Sequence, residues 1–233
     1  APVTAFLGAR LAVDADGVSI AHIYRSDPEL PAERAPLQQL GVDARAGDRL
    51  LAINGRAVRN PGDVARALRQ QAGQQVLLTL QRGKAEAHRT VVVPVPADRD
   101  ATLRYLDWVQ GRAEAVARAS GGRMGYLHLR AMTPGDMAAF VRDFYAQLDR
   151  EGLIVDVRRN RGGNIDSWVI DRLMRRAWAY WHPPGTVPQW NQQQSYRGHL
   201  AVLADEFTYS DGETFSEGFK RLGVNADWEH PYL

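Results

Sequence analysis

Residues 152–164 read GLIVDVRRNRGGN, a short apolar run that passes directly into a polar loop with two adjacent glycines. The run from Leu153 to Val157 is nearly continuous in apolar side chains, which is typical of a buried strand. Gly162 and Gly163 permit positive φ, so successive backbone N–H groups can point into one concavity suited to an oxyanion. In the simpler interpretation, the two glycines serve only a strand-to-helix turn that needs left-handed residues.

Apolar strands alternate with helices on both sides of this stretch. The pattern predicts two further strands, Met124 to Leu129 and Leu200 to Ala204, and three helices, Pro134 to Leu148, Ile165 to Ala179 and Gly212 to Leu222. This order indicates a sheet covered on at least one face. Because strand-to-helix loops of parallel crossover units gather at the carboxyl ends of the strands, the loop RRNRGGN (158–164) and the loop TYSDGE (208–213) should lie near each other.

The first part of the chain has a different pattern. From Leu7 to Val95, short apolar runs are broken by Gly and Pro, and one helix is predicted from Pro61 to Gln71. A helix with an apolar face follows at about 101–119. These signals predict three parts: a small β-rich domain at 1–98, a connecting helix at 99–122 and an αβ domain at 123–233.

The bulk composition restricts the classes of function. Of the 233 residues, 45% are hydrophobic and 24% are charged, the formal net charge is +2, and there is no cysteine. The arginines are scattered among acidic residues, which argues against a nucleic-acid partner because phosphate binding needs a concentrated basic surface. The absence of cysteine excludes disulfides and thiolate metal sites. No apolar run approaches the length of a membrane span, so no membrane partner is expected.

Ser210 stands where the third strand passes into the third helix, and two interpretations of it remain open. Ser210 and Glu213 fit the capping-box sequence, in which the serine hydroxyl and the glutamate carboxylate satisfy free N–H groups at a helix start. Alternatively, the hydroxyl is an exposed nucleophile, and the Asp211 amide and the helix N-terminus help to hold negative charge.

A serine nucleophile needs a base that accepts its proton. His199 begins the strand that leads to Ser210, so it should lie at the wrong end of the sheet. His128 is the only internal candidate near the carboxyl ends of the strands, although a histidine in a strand is more often a packed residue. The residues therefore predict a nucleophile and an oxyanion loop without a convincing base.

At these positions the sequence resembles the S41 peptidases, most closely their tricorn protease branch. GLIVDVRRNRGGN resembles the strand and oxyanion loop of that family, and EFTYSDGETFSEGFKRLG (206–223) resembles its nucleophile segment. GVDARAGDRLLAINGRAV (41–58) is similar to the core of the PDZ domains that tricorn-like enzymes carry before the catalytic domain. The three motifs occur in the order found in the family and together span nearly the whole chain up to Gly223.

The resemblance implies a PDZ-like β-rich domain followed by a crotonase/ClpP-like αβ domain, an α+β or α/β fold overall. It implies a serine endopeptidase that cleaves oligopeptides or unfolded polypeptides through an acyl-enzyme, without a metal or another cofactor. Ser210 matches the family nucleophile, and Asp211 and Gly163 match the residues whose N–H groups form the oxyanion hole. A large cytoplasmic parent protein with β-propellers and homo-oligomeric assembly is also implied.

The chain departs from the family pattern at the other catalytic residues. The catalytic histidine of the family precedes the PDZ domain, and its glutamate follows the nucleophile helix in a segment expected after Gly223. Here Val224 to Asp227 already resembles a later strand of the family. We therefore expect both residues outside this chain, and we expect the chain alone to be nearly inactive. Glu229 and His230 are not replacements.

Two points of specificity remain predictions. Trp181 aligns with an aspartate that selects basic residues in the family archetype, so an apolar or bulky preference is expected instead. The PDZ-like domain either binds a peptide carboxylate, with Leu7 to Ala9 as the loop, or is a packed structural module. The alternative to an enzyme is a non-catalytic PDZ and crotonase-like scaffold in which Ser210 is only a cap.

Overall fold

A computed structural model of the chain describes residues 3–27, 30–192 and 194–224. It divides into two compact units, the first ending at Gly111 and the second beginning at Arg112. The first unit is rich in β-structure and the second mixes strands with helices, so the expected order of fold classes is confirmed.

The first unit is built on an antiparallel sheet and one short helix. Its sheet has the order β1-β2-β3-β5-β6, with β4 paired to β3. The side chains of β5 alternate between buried and half-buried, and Val76, Leu78 and Leu80 form the centre of the core. The elements are β1 Ala9–Asp14, β2 Gly17–Ile23, β3 Arg49–Ile53, β4 Arg56–Ala57, α1 Pro61–Ala67, β5 Val76–Gln81 and β6 His88–Val92.

Local chemistry explains two features of this unit. Asn54 and Gly55 join β3 to β4 with φ of 48° and 75°, the left-handed pair that a tight hairpin turn requires. Asn60 caps α1 by accepting from the Asp63 N–H at 3.1 Å. The helix ends at Ala67, four residues before the predicted end at Gln71, and Gln70 adopts a φ of 57° that no helix tolerates.

A long helix, α2, spans Ala97–Ser120, slightly more than the predicted 101–119. Its first half belongs to the first unit, where Leu103 is buried and Asp107 accepts from the Arg25 N–H at 3.0 Å and lies 2.8 Å from His22 Nε2. Its last turn belongs to the second unit, where Ser120 Oγ accepts from the Met124 N–H. The domain limits at residues 98 and 122 stay predictions.

The second unit contains a parallel three-stranded sheet in the order β11-β8-β7. Buried aromatic and aliphatic side chains from the strands and helices share one core, which includes Phe140, Phe144, Val155 and Phe215. The elements are β7 Met124–His128, α3 Pro134–Tyr145, β8 Gly152–Asp156, α4 Asp166–Leu173, β9 Tyr180–Trp181, β10 Gln189–Trp190, β11 His199–Leu203 and α5 Asp211–Arg221.

The prediction of a helix from Ile165 to Ala179 was wrong at its C-terminal half. Helix α4 ends at Leu173, its last buried residue. Met174 still packs against the core at the helix end, but beyond it the large apolar side chains turn to solvent, and Trp178 is 81% exposed. The short antiparallel pair β9–β10 was not predicted; Tyr180 pairs with Trp190, and their rings meet edge to face at 5.7 Å.

No helix within the described residues has the length and apolarity needed to cross a membrane.

Candidate functional site

The two loops singled out in the sequence meet at the carboxyl edge of the parallel sheet, as expected. The Tyr209 N–H donates to the Asn160 carbonyl at 3.0 Å. A methyl group on Gly162 would lie only 2.7 Å from Ser210 Cβ and 3.2 Å from its Oγ. Glycine at position 162 therefore allows the loop 158–164, called the oxyanion loop after its predicted role, to approach the serine directly.

The buried side chain of Asn160 fixes the loop 158–164 through hydrogen bonds. Its side chain is fully buried, its Nδ2 donates to the Leu129 carbonyl at 2.8 Å, and its Oδ1 accepts from the Gly162 N–H at 2.8 Å. The Asn160 carbonyl also accepts from the Tyr209 N–H, so this one residue joins the end of β7, the loop 158–164 and the loop 208–213. The sequence marked Asn160 only as a loop residue, because these partners are distant along the chain.

Gly163 lies against the backbone of Met132. The Met132 N–H donates to the Gly162 carbonyl and the Asn164 N–H donates to the Met132 carbonyl, both at 2.8 Å. A side chain at Gly163 would overlap Met132, since its Cβ would lie 1.8 Å from the Met132 oxygen. In such a parallel bridge the N–H of the central residue points away from its partner, so the Gly163 amide faces away from Met132.

Two amides at this edge are available to a ligand. Within the described part of the chain, neither the Gly163 N–H nor the Asp211 N–H donates a hydrogen bond to another protein group. Asp211 is the first residue of α5, so its amide also belongs to the positive end of the helix dipole. Both amides can therefore donate to an oxyanion.

Ser210 does open a helix, and it does so with an unusual backbone. The Glu213 carboxylate accepts from the Ser210 N–H at 2.7 Å, and the Glu213 N–H donates to the Ser210 carbonyl at 2.8 Å. Ser210 has φ 53° and ψ −117°, whereas Thr133, the cap of α3, has φ −104° and ψ 164°. Capping requires only the extended conformation seen at Thr133, so the strain at Ser210 has another cause.

The side chain of Asp211 connects the two loops, a role that the sequence did not indicate. Its Oδ2 accepts from the N–H groups of Ile165 and Asp166 at 2.9 and 3.1 Å, at the start of α4. Partial burial raises the pKa of Asp211 above its ordinary value, and the negative charge of Asp166 acts in the same direction. Asp211 thus offers its amide at one helix start while its carboxylate caps another.

A buried ionic cluster supports the loop from below. Asp156 is fully buried; it accepts from the Tyr126 hydroxyl at 2.7 Å and from Arg158 Nε at 2.9 Å. Burial acts to raise the pKa of Asp156, but the hydrogen bonds from Arg158 and Tyr126 outweigh it and hold that pKa below its usual range. Because Arg158 begins the oxyanion loop, the cluster fixes where the loop leaves the sheet.

His128 ends β7, and its position does not support a role as the base. Its Nε2 donates to the Arg158 carbonyl at 2.9 Å, and β8 separates its strand from β11, which leads to Ser210. Burial lowers the pKa of His128. Across residues 112–192 and 194–224, no histidine hydrogen-bonds to Ser210, and His199 begins β11 at the opposite sheet end, as expected. Glu229 and His230 lie outside the described residues.

Two other predicted positions fall elsewhere in their units. Trp181 lies on β9 and is 71% exposed. In the first unit, a methyl group on Gly8 would lie 2.5 Å from Pro36 Cδ, and the Gly8 carbonyl accepts from the Tyr24 N–H at 3.0 Å. Peptide binding at Leu7 to Ala9 stays a prediction.

In the described parts of the chain, no cluster of three or more His, Asp or Glu side chains could hold a metal ion.

Family models match most of the chain in two blocks. Residues 5–97 match the tricorn protease PDZ domain, and residues 123–226 match peptidase family S41. The second block contains both loops of the candidate site.

Curated proteins and a solved structure agree with these matches. The chain is 39% identical over 220 residues to tricorn protease homolog 1 of Streptomyces coelicolor, covering 94% of this chain and 20% of that protein. It is 32% identical over 213 residues to the tricorn protease of Thermoplasma acidophilum, covering 91% of this chain and 20% of that protein. A crystal structure of the tricorn protease superimposes with a TM-score of 0.86 at 28% identity, over 96% of this chain and 22% of that chain.

The chain thus spans about a fifth of the length of these curated relatives. With the tricorn-type PDZ match, the S41 match and the superposition in agreement, the chain belongs to the tricorn protease family.

Proposed function

We propose that this chain supplies the nucleophile and the oxyanion hole of a serine peptidase that cleaves oligopeptides or unfolded polypeptides. The observation that carries the proposal is the backbone of Ser210, at φ 53° and ψ −117° beside Gly162. Strained backbone of this kind costs about 1–3 kcal/mol and persists where surrounding contacts impose it, often at active sites. A sharp strand-to-helix turn is also how other hydrolases expose a nucleophilic serine.

The proposed chemistry follows from the groups around Ser210. Its Oγ attacks the peptide carbonyl carbon while a base takes the hydroxyl proton, and the carbonyl oxygen becomes an oxyanion that accepts from the Gly163 and Asp211 amides. The C–N bond then breaks, the base returns the proton to the leaving amine, and water releases the acyl group from Ser210. We place the base, a histidine, elsewhere in the full-length protein, and we propose cytoplasmic homo-oligomers for that protein.

Each of the two amides is expected to contribute substantially to the rate of peptide hydrolysis. Removing one oxyanion-hole donor from a serine peptidase reduces kcat by about 10²–10³-fold. The Gly163 amide is held by the Met132 bridge and the Asp211 amide by the start of α5. Because both donors are held by backbone contacts, they need little reorganisation when the oxyanion forms.

Covalent labelling tests the proposal directly. In the full-length protein, a fluorophosphonate probe is expected to label the wild type and leave Ser210→Ala unlabelled, as judged by the intact mass and the mass of the modified peptide. Ser216→Ala is the matched control, because Ser216 lies on the same helix and its Oγ donates to the Gly212 carbonyl at 2.8 Å. Equal labelling of wild type and Ser210→Ala would favour the scaffold alternative, in which Ser210 is only a cap.

Trp181 leads to a prediction about specificity. With tryptophan in place of an acidic residue, the full-length enzyme is expected to cleave a peptide with Phe at the cleavage position faster than the matched Arg peptide. Trp181→Asp should shift the ratio of the two kcat/KM values toward Arg, because a carboxylate can pair with a guanidinium. A strong Arg preference in the wild type would contradict the prediction.

A further inference from the structure

Three arginines stand in the oxyanion loop, and two of them are already engaged. Arg158 binds the buried carboxylate of Asp156. The guanidinium of Arg159 lies 5.0 Å from the centroid of the Phe207 ring and 3.9 Å from an Asp205 carboxylate oxygen. Arg161 is exposed, and within the described residues its guanidinium has neither a carboxylate nor an aromatic partner. The loop therefore presents one uncompensated positive charge.

The backbone of Arg161 is held in place beside the candidate nucleophile. Its N–H donates to the Arg130 carbonyl at 3.1 Å, and the next amide, of Gly162, donates to Asn160 Oδ1. Gly162 is the residue whose Cα approaches Ser210 so closely that no methyl group fits between them. Consecutive Cα atoms are about 3.8 Å apart, so the Arg161 side chain starts next to the reacting centre and extends into solvent.

We propose that Arg161 binds a carboxylate of the peptide substrate close to the scissile bond and thereby favours substrates that carry one there. This inference rests on the proposed function of Ser210. A guanidinium is always charged, and its fork of donors matches a carboxylate. The nearby carboxylates do not cancel it: Asp205 faces Arg159, and Asp211 accepts from the α4 amides.

The carboxylate can come from an acidic side chain or from the free C-terminus of a short peptide. Four peptides separate these sources: a Glu peptide and its Gln counterpart, each with a free and with an amidated C-terminus. Fluorescence-detected binding to full-length Ser210→Ala protein measures recognition without cleavage. A preference for Glu over Gln identifies the side chain, and a preference for the free acid over the amide identifies the C-terminus.

The arginine variant is made in the same background. Arg161→Gln is expected to raise the Kd of the preferred carboxylate peptide about twofold to fivefold, the range of an exposed charge pair, and to leave the Kd of the neutral peptide unchanged. The loss of affinity caused by Arg161→Gln should be smaller at high salt concentration, because salt screens the charge pair. Arg89→Gln, an exposed arginine on β6 of the first unit, is the control and should change neither Kd.

Two results would overturn the inference. One is an unchanged discrimination between carboxylate and neutral peptides in Arg161→Gln, and the other is an equal loss of affinity for both peptides. Because binding is measured without Ser210, either result is distinct from failure of the proposed function, which appears as absent fluorophosphonate labelling of the wild-type protein. A wild type that labels but does not discriminate would reject the carboxylate subsite alone.

Discussion

Replacing Ser210 by glycine is expected to abolish peptide hydrolysis and, in the same molecule, to raise the free energy of unfolding. The first effect follows from loss of the proposed nucleophile, the Ser210 Oγ; loss of the nucleophile costs about 10⁶-fold in kcat in a serine peptidase. The second follows from the backbone, because φ 53° with ψ −117° is strained for serine and accessible to glycine. The relief of about 1–3 kcal/mol is only partly offset by the entropy of glycine, about 0.5–1 kcal/mol.

Ser210→Ala separates the two effects, since it removes Oγ and keeps Cβ. It should be as inactive as Ser210→Gly in the full-length protein. Its free energy of unfolding should stay within about 1 kcal/mol of the wild-type value, because a helix cap typically contributes about that much. Urea unfolding of the chain, with Thr133→Gly at the unstrained cap of α3 as a comparison, measures the stability. If Ser210→Gly unfolds more easily than Ser210→Ala, the strain argument is wrong.

The caps at Ser210 and Thr133 show which features could be predicted from the sequence and which could not. Ser210 with Glu213 and Thr133 with Asp136 are the same kind of sequence, a hydroxyl residue three positions before an acid, and both make capping boxes. Only one is strained, because only Ser210 is held between the Asn160 carbonyl behind Tyr209 and the Gly162 backbone. A local pattern predicts the cap, and tertiary contact decides its conformation.

The alternation of apolar strands and helices was sufficient to predict the sheet edge where the loops meet, since strand order and crossover handedness follow general rules. The polar contacts that fix the loops were not predictable in this way. Tyr126 and Asp156 are 30 positions apart, and Asp211 and Ile165 are 46 apart. Nothing in a single sequence pairs such residues. Similarly, the exposed pair β9–β10 lacks the apolar periodicity by which strands are predicted.

The Asp156 cluster leads to the largest expected effect on stability. Asp156→Asn should lower the free energy of unfolding by about 2–4 kcal/mol, because it leaves the Arg158 guanidinium facing a neutral amide in place of a fully buried carboxylate. The loss is smaller than for a fully buried ion pair because the Arg158 side chain is 36% exposed and stays partly solvated. Tyr126→Phe removes a single hydrogen bond from the same carboxylate and should cost about 1–3 kcal/mol. Urea unfolding followed by tryptophan fluorescence measures both, since Trp168 and Trp190 lie in this unit.

The pKa shift of Asp156 gives this destabilisation a pH dependence. The folded-state pKa of Asp156 is lower than its unfolded-state pKa. The carboxylate therefore stabilises the fold fully at pH values above the unfolded-state pKa, and this stabilisation is lost as the pH falls through the folded-state pKa. The difference in unfolding free energy between wild type and Asp156→Asn should therefore shrink in acid. A difference that stays constant down to the acid transition would contradict the ionic role, whatever its size at neutral pH.

Asp156→Asn should also impair the candidate site, although Asp156 touches no substrate. Arg158 leaves the sheet beside Asp156 and leads within five residues to Gly163, so a displaced Arg158 moves the proposed oxyanion amide of Gly163, while Ser210 keeps its contacts with Glu213. In the full-length protein, under conditions where the variant is folded, fluorophosphonate labelling of Ser210 should slow, and Tyr126→Phe should slow it less. Normal labelling rates in a folded Asp156→Asn protein would show that the loop keeps its position without the cluster, and Asn160 would then be sufficient to hold it.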